Sequence, residues 1–234
     1  MINNKHYHGV LFDLDGTLVD TAEDFIVCLN QLRAQENLKP LPATLIRTVV
    51  SDGALAMIAL AFDIKEGDVG FEEKKQAFLD LYLQNIARSS RLFNGLAEFL
   101  TWCQQEGIPW GIVTNKPRLY AEPLLTALNL DQHMGTLVCP QDVKNSKPDP
   151  EPMLKACTEI SVAPQKCLYV GDHIRDIQAG KNANMPTIAA AYGYVHNVNE
   201  AKQWQADWTA NTSKELCDLL MLLLSPAPQS NKQS

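Results

Sequence analysis

The sequence predicts an α/β protein with a parallel, doubly wound sheet and a small helical module inserted after the first strand. Short apolar strands alternate with helices from about residue 91 onward, which is typical of parallel sheets. One earlier strand, Val10 to Phe12, is followed by four helical segments with no strand between them. The last stretch, Ser225 to Ser234, is polar and rich in Pro, Gln and Ser, so it is predicted to be a disordered tail.

The inserted module begins after Asp20. Thr21 is predicted to cap a helix that runs to about Glu36 and ends before a Lys-Pro-Leu-Pro segment. Three further helices are expected at Ala43–Val50, ending at Ser51-Asp52-Gly53, at Ala54–Ala61 and at Phe71–Ala87.

The α/β alternation then supplies the remaining strands and helices. Apolar segments that end in polar or glycine residues predict strands at Pro109–Val113, Thr136–Cys139, Lys166–Val170 and Thr187–Ala191, with a weak one at Asp207–Thr209. Helices are expected at Phe93–Gln105, after Pro117 to about Asn129, at Glu151–Ile160, at Ile174–Asn182, and from an N-cap at Ser213 to Leu224.

Composition excludes several classes of protein. The net charge is −7 and no basic run exceeds two residues, so nucleic acid is not an expected partner. The N-terminus lacks the apolar core of a signal peptide, and the longest apolar runs are too short to span a bilayer, so no membrane association is expected. The six cysteines show no paired spacing and are predicted to be reduced in a cytoplasmic protein, and the five histidines are treated as structural.

Two carboxylates, Asp13 and Asp15, follow the first strand directly and precede Gly16. In a regular strand, residues two apart point to the same side, and such close like charges favour a cation between them. Mg²⁺ binds one or two carboxylates together with substrate phosphate. The pair therefore suggests a metal site that meets phosphate, with Asp13 as a nucleophile and Asp15 as an acid or base.

An ordinary turn explains an Asp-x-Asp-Gly segment equally well when it is taken alone. A calcium-binding loop does not, because its fifth and twelfth positions hold Thr17 and Asp24 instead of a third ligand and a bidentate Glu.

Polar residues also stand after the other strands. Thr114 and Asn115 could donate hydrogen bonds to phosphoryl oxygens. Lys147, held before a Pro-Asp-Pro segment, could offset the negative charge of Asp13 and of the incoming phosphate. Asp172 suits a metal ligand, and Asp176, one helical turn later, suits an acceptor that holds Lys147 or a metal-bound water. Each also has an ordinary explanation: a strand-to-turn exit, a solvated loop lysine, and helix capping by Asp172.

Taken together, these segments resemble the haloacid dehalogenase superfamily of aspartate-nucleophile phosphohydrolases. The resemblance covers about residues 7 to 222, and it rests on Asp13-Leu14-Asp15-Gly16-Thr17, Thr114-Asn115, Lys147 and Gly171-Asp172-His173-Ile174-Arg175-Asp176. It implies a Rossmann-like core at residues 1–17 and 89–224 with a helical cap at residues 18–88. It also implies Mg²⁺ held by Asp13, the main-chain carbonyl of Asp15, and Asp172. His173 departs from the acid or small polar residue that is common at its position.

Within that superfamily the chain is similar to the phosphoglycolate phosphatase branch. Three sequence segments look most like those of N-acetylmuramic acid 6-phosphate phosphatases, which act in recycling of the bacterial cell wall. The segments are Val113 to Pro117, Cys139-Pro140, and Val143 to Pro152. The resemblance implies a small phosphorylated sugar or acid as substrate, with phosphoglycolate or another small sugar phosphate as the alternative.

The cap is expected to close over the site and to select the leaving group. Arg47, Ser51, Asp52 and Gly53 are candidates to face the substrate, although surface charge and a helix-breaking turn explain them as well. Lys116 could meet the lactyl carboxylate of a muramic acid.

Other functions share parts of this pattern. A dehalogenase would have no use for an acid at position 15, because a halide leaving group needs no proton. A phosphosugar mutase would differ only in its product. A signalling receiver domain would need neither the inserted helices nor Asp15, and a binding module without catalysis would need none of the charged groups.

Overall fold

A computed structural model of the chain describes residues 7–195 and 198–225. These residues form eight strands: β1 (Gly9–Phe12), β2 (Val19–Asp20), β3 (Arg91–Leu92), β4 (Trp110–Val113), β5 (Thr136–Val138), β6 (Cys167–Gly171), β7 (Thr187–Ala190) and β8 (Trp208–Ala210). The ten α-helices are α1 (Ala22–Gln35), α2 (Ala43–Arg47), α3 (Gly53–Phe62), α4 (Phe71–Asn85), α5 (Leu96–Glu106), α6 (Arg118–Ala127), α7 (Glu151–Glu159), α8 (Ile174–Asn182), α9 (Val198–Gln203) and α10 (Ser213–Leu223).

Six of the strands form one parallel sheet in the order β5-β4-β1-β6-β7-β8. The sheet grows in both directions from β1, so the predicted α/β, doubly wound architecture is confirmed. Every residue of β1, β4, β6 and β7 is buried, because helices cover both faces of the sheet. The carboxyl ends of β1, β4 and β6 therefore meet at the centre of one edge.

Helices α1 to α4 follow one another without an intervening strand and pack around a separate hydrophobic cluster, to which Tyr120 and Tyr194 also contribute. Phe25, Phe78 and Tyr82 are buried there, and the rings of Phe25 and Tyr82 stack with centroids 4.1 Å apart. Strands β2 and β3, which precede and follow these helices, pair antiparallel, so the two chain crossings lie side by side. The sequence did not predict this pair, because two residues are too few to show a period.

Several predicted boundaries are wrong in detail. Thr212, not Ser213, caps α10: its side chain accepts from Glu215 N at 3.1 Å. Thr21 occupies the capping position of α1, but its side chain forms no capping hydrogen bond with that helix. Gly53 begins α3 instead of ending the helix before it. Helix α9 was not predicted at all.

The predicted tail lies almost wholly outside the described residues. Ser225 is described, and its N–H donates to Tyr7 O at 2.9 Å. All six cysteines are free and buried, as predicted. Within the part of the chain that the structure covers, no helix has the length and apolar character needed to span a bilayer.

Tyr194, in the loop after β7, takes over the capping of α1. Its hydroxyl accepts from the backbone N–H groups of Thr21 at 2.6 Å and Ala22 at 2.9 Å, and it donates to Asp20 at 2.9 Å. The hydroxyl therefore satisfies two buried donors at a helix N-terminus. This contact fixes the first helix of the inserted module to the sheet.

Replacing Tyr194 with phenylalanine is expected to destabilise the protein by about 2 kcal/mol, because two buried N–H groups lose their acceptor. Urea unfolding followed by circular dichroism measures the change. Tyr82→Phe is the matched control, since the Tyr82 hydroxyl is buried but has no partner among the described residues. An equal loss in both variants would contradict this role of Tyr194.

Candidate active site

The two carboxylates after β1 bind different partners. Asp13 is 5% exposed, and its Oδ1 accepts from Lys147 Nζ at 2.7 Å. Asp15 Oδ1 instead accepts from Thr21 Oγ1 at 2.6 Å and Lys116 Nζ at 3.0 Å. Strand β1 ends at Phe12, so the alternation of a strand does not extend to these residues. Strand geometry therefore does not set the directions of these two side chains, although both residues line the same cavity.

Residues from three distant segments converge on Asp13. Carboxylate oxygens of Asp13, Asp172 and Asp176 lie within 4.8 Å of one another, and all three residues are buried. Lys147 lies 2.7 Å from Asp176 as well as from Asp13, and its side chain is only 1% exposed. Three buried acids thus lie together with one ammonium group, which contacts two of them.

This excess of negative charge shifts the pKa values of the titratable groups in the site. Burial, followed by the charges of Asp13 and Asp176, raises the pKa of Asp172 to about 8. Burial also raises the pKa of Asp176, against the opposing effect of Lys147. For Lys147, burial alone would lower the pKa, but the carboxylates of Asp13 and Asp176 raise it. The lysine therefore stays charged, while the acids favour an additional cation or proton.

Asp172 is held by three hydrogen bonds. Its Oδ2 accepts from Tyr194 N at 2.8 Å and Ser51 Oγ at 2.9 Å, and its Oδ1 accepts from Thr17 Oγ1 at 3.4 Å. Gly16 has φ +82°, and a Cβ atom there would lie 2.1 Å from Asp172 Oδ2. Glycine is therefore required at position 16 both by the turn and by the acid behind it.

Asp172 is not the helix cap that one interpretation of the sequence allowed. His173 caps α8, with its Nδ1 accepting from Arg175 N at 3.2 Å and its own N–H donating to Asp176 Oδ2 at 3.1 Å. Capping by His173 leaves the Asp172 carboxylate for the acidic cluster. His173 Nε2 also lies 3.3 Å from Asp52 Oδ1, which links α8 to the segment before α3.

Thr114 and Asn115 follow β4 at the same edge of the sheet. Thr114 is buried, and its Oγ1 accepts from Lys116 N at 3.1 Å. Asn115 Nδ2 donates to the main-chain carbonyl of Lys147 at 3.1 Å. This bond fixes the backbone that carries the lysine, a positioning contact that the sequence did not indicate.

A cavity of about 420 Å³ opens beside the acidic cluster, between the sheet edge and the inserted helices. Its walls include Asp13, Asp15, Thr114 and Asn115 from the sheet side, and Ser51, Asp52 and Gly53 from the helical side. Arg47 is not among the lining residues: its guanidinium lies 2.8 Å from Asp20 and 4.9 Å from the centre of the Tyr194 ring. Three of the four candidates from the cap thus line the cavity.

Lys116 does not present a free ammonium group to this cavity. Its Nζ lies 3.0 Å from Asp15 Oδ1, and the rings of Phe25 and Tyr82 have their centres within 4.7 Å of the same atom. The charge is already matched by a carboxylate and two aromatic faces. Nothing in the spacing of the sequence indicated this pairing, because the partners are 101 positions apart.

Comparison with known proteins agrees with this geometry. The family model described as haloacid dehalogenase-like hydrolase matches residues 10–190. An N-acetylmuramic acid 6-phosphate phosphatase from Pseudomonas aeruginosa is 43% identical, with 91% of this chain and 94% of that protein aligned. A phosphoglycolate phosphatase from Xanthomonas campestris is 38% identical over 85% of this chain and 90% of its own length.

A solved structure supports the same assignment of fold. The crystal structure titled as a predicted phosphoglycolate phosphatase from Haemophilus somnus aligns with a TM-score of 0.80 and 27% identity, covering 94% of this chain and 99% of its own. The family match spans more than half of the sequence and includes Asp13, Lys147 and Asp172. The chain therefore belongs to the haloacid dehalogenase-like hydrolases.

Proposed function

We propose that this protein is a phosphomonoesterase that works through an aspartyl-phosphate, with N-acetylmuramic acid 6-phosphate as its substrate in peptidoglycan recycling. The observation that carries the proposal is the buried Asp13 carboxylate, held by Lys147 and open to a cavity of about 420 Å³. Cavities of roughly 300–1,000 Å³ suit ligands larger than a two-carbon acid. The 43% identity to the Pseudomonas aeruginosa phosphatase supports the choice of sugar.

In the first step an Asp13 oxygen attacks phosphorus as the bond to the sugar oxygen breaks. Asp15, in its protonated form, gives its proton to the departing oxygen. Lys147 offsets the charge on the transferring oxygens, and Thr114 and Asn115 donate hydrogen bonds to them. The proton from Asp15 lets the sugar oxygen depart as a hydroxyl group.

In the second step Asp15, now ionised, removes a proton from water. The resulting nucleophile attacks phosphorus, the bond to Asp13 breaks, and inorganic phosphate leaves with Asp13 restored. Lys116 stabilises the ionised form of Asp15 in this step, because its ammonium group lies 3.0 Å away. The hydroxyl of Thr21, at the start of α1, donates to the same carboxylate oxygen at 2.6 Å. Asp15 therefore keeps one position through both steps.

Three buried acids facing a single lysine fit a hard divalent cation, and Mg²⁺ is the cation we propose. Asp13, Asp172 and the main-chain carbonyl of Asp15 would hold it, while Asp176 accepts from Lys147 behind them. The ion supplies electrostatic stabilisation of charge on the phosphoryl oxygens.

The stability gained from Mg²⁺ is expected to be larger at about pH 8.5 than at about pH 5.5. Because the pKa of Asp172 is raised from 3.8 to about 8, the metal-free fold keeps a proton that the unfolded chain releases. That contribution to stability is present below pH 4 and is lost as the pH rises through about 8. Above this range the cation meets an ionised carboxylate and need displace no proton.

Thermal unfolding with and without MgCl₂ at the two pH values measures this difference. Asp172→Asn removes the titrating group and should remove most of the pH dependence of the magnesium effect. Equal shifts in melting temperature at both pH values in the unaltered protein would contradict the prediction.

We further propose that residues 18–88 form a cap that closes over the site, since Ser51, Asp52 and Gly53 line the cavity from that side. Closure would exclude water while Asp13 attacks. Six free, buried cysteines also suit a reducing compartment, and the cytoplasm is the location we propose.

Release of inorganic phosphate from a panel of esters tests the proposed function. N-Acetylmuramic acid 6-phosphate should give the highest kcat/KM, ahead of phosphoglycolate, the substrate named for the Xanthomonas campestris relative. A reversed order would move the assignment to phosphoglycolate. Formation of an isomeric sugar phosphate without phosphate release would indicate a mutase instead.

A further inference from the structure

Two buried side-chain atoms lack a hydrogen-bond partner within the described residues, and both belong to walls of the same cavity. They are the hydroxyl oxygen of Tyr82 and Nε of Arg175. A buried polar group without a partner costs about 1–3 kcal/mol, so folded proteins contain few of them. Because both residues also line one cavity, a ligand bound there can supply the missing partners once the side chains turn toward it.

Arg175 is well placed to present its free N–H. Its backbone N–H donates to the capping ring of His173 at 3.2 Å, which fixes the start of α8. Its Nη2 donates to the main-chain carbonyl of Ser51 on the opposite wall. The backbone and the guanidinium of Arg175 are thus each held by a hydrogen bond. No carboxylate of the described residues forms an ion pair with this guanidinium.

The other cations near the cavity are already paired with acids. Lys116 contacts Asp15, Lys147 contacts Asp13 and Asp176, and Arg47 contacts Asp20. Arg175 is therefore the cation of this region that remains available to an anionic group on the substrate. A guanidinium suits a carboxylate, because its planar N–H groups match the two oxygens.

Burial, followed by the charges of Asp15 and Asp24, raises the pKa of Tyr82 well above its ordinary value. Its hydroxyl therefore stays neutral and can donate to a sugar oxygen or accept from a sugar hydroxyl. It lies on the wall that also carries Phe25, so an apolar ring face and one polar atom meet the same ligand.

We propose that Arg175 binds a carboxylate carried by the leaving group of the substrate, while the Tyr82 hydroxyl bonds a neutral polar group of the same molecule. The inference rests on the proposed function and deepens it. N-Acetylmuramic acid 6-phosphate and phosphoglycolate, named for two relatives, differ in size but both carry a carboxylate besides the phosphate. Arg175 could thus bind the carboxylate of either substrate.

Binding measured by calorimetry with Mg²⁺ tests the inference in an Asp13→Asn background, where the sugar phosphate is not consumed. The two ligands are N-acetylmuramic acid 6-phosphate and N-acetylglucosamine 6-phosphate, which lacks only the lactyl group. The Asp13→Asn protein should bind the acid at least tenfold more tightly. Adding Arg175→Met should reduce that ratio to within threefold of one, and Arg175→Lys should retain an intermediate ratio.

Arg47→Met is the matched control in the same background, because it removes an arginine that does not line the cavity. It should leave the ratio of the two affinities unchanged. Equal affinity for the two sugars before Arg175 is altered, absence of binding, or a ratio that survives Arg175→Met would overturn the inference.

The phosphatase proposal is decided separately, by phosphate release from the protein with Asp13 intact. A wild-type enzyme that hydrolyses both sugars with equal kcat/KM would keep the phosphatase proposal and overturn the role of Arg175. Thermal unfolding of each variant confirms that the comparison is made between folded proteins.

Discussion

Replacing Asp13 with asparagine is expected to lower kcat by about 10⁴-fold or more, the range seen when a catalytic nucleophile is removed. The amide is close in size to the carboxylate but cannot form the acyl-phosphate. Lys147 keeps Asp176 as an ionic partner at 2.7 Å, so the fold should persist. Phosphate release under steady-state conditions gives the rate, and circular dichroism checks the fold.

Asp131→Asn is the matched control for this change, since that exposed carboxylate accepts from Thr126 at 2.7 Å and does not line the cavity. It should retain the activity of the unaltered protein. Trapping of a phosphorylated protein in rapid-quench samples should succeed with Asp13 present and fail with asparagine there. Steady-state turnover by Asp13→Asn within tenfold of the wild type would disprove the nucleophilic role.

Replacing Lys147 with methionine should destabilise the metal-free protein by about 3–5 kcal/mol, because it leaves buried acids without their counter-charge. The ammonium group contacts Asp13, Asp176, the carbonyl of Val113 and the hydroxyl of Tyr169, all within 3.0 Å. Phosphate release should also fall by at least roughly 10²-fold, since a charge that stabilises the transferring oxygens is lost.

Urea unfolding with a chelator present measures the loss of stability, and Lys144→Met on the exposed loop is the control. The loss of stability should be smaller at lower pH. Asp172 and Asp176 have raised pKa values, and their protonation removes the repulsion between acids that the lysine had offset. A deficit that is unchanged between about pH 8 and pH 5 would show that Lys147 contributes packing instead of charge.

The sheet and the acidic cluster were predictable because each depends on a local pattern. A buried strand such as β6 is a run of apolar residues, and the polar residue that ends it must lie at the edge of the sheet. Parallel strands share that edge, so Asp13, Thr114 and Asp172 could be brought together from sequence alone. The spacing of four positions between Asp172 and Asp176 added the third acid of the cluster.

What the sequence could not show depends on contacts between distant segments. Tyr194 caps a helix 173 positions away, and Lys116 pairs with an acid 101 positions away. Neither has a period or a spacing that would reveal its partner. Arg175 and Tyr82 were also missed, since each stands on an ordinary amphipathic helix and differs from its neighbours only in having an atom left without a partner. The capping of α8 by the His173 ring was missed as well, although the histidines were expected to be structural.

The pairing of β2 with β3 has a consequence for the evolution and engineering of this chain. Val19 and Leu92 are direct neighbours across that ladder, so everything between them leaves and re-enters the hydrolase scaffold at a single point. A segment joined in this way can be lengthened, shortened or exchanged for that of a relative without stretching the sheet. Transplants cut at this ladder should keep the chemistry of the host, including any selectivity set by Arg175, and change only the part of the substrate preference that the exchanged segment supplies.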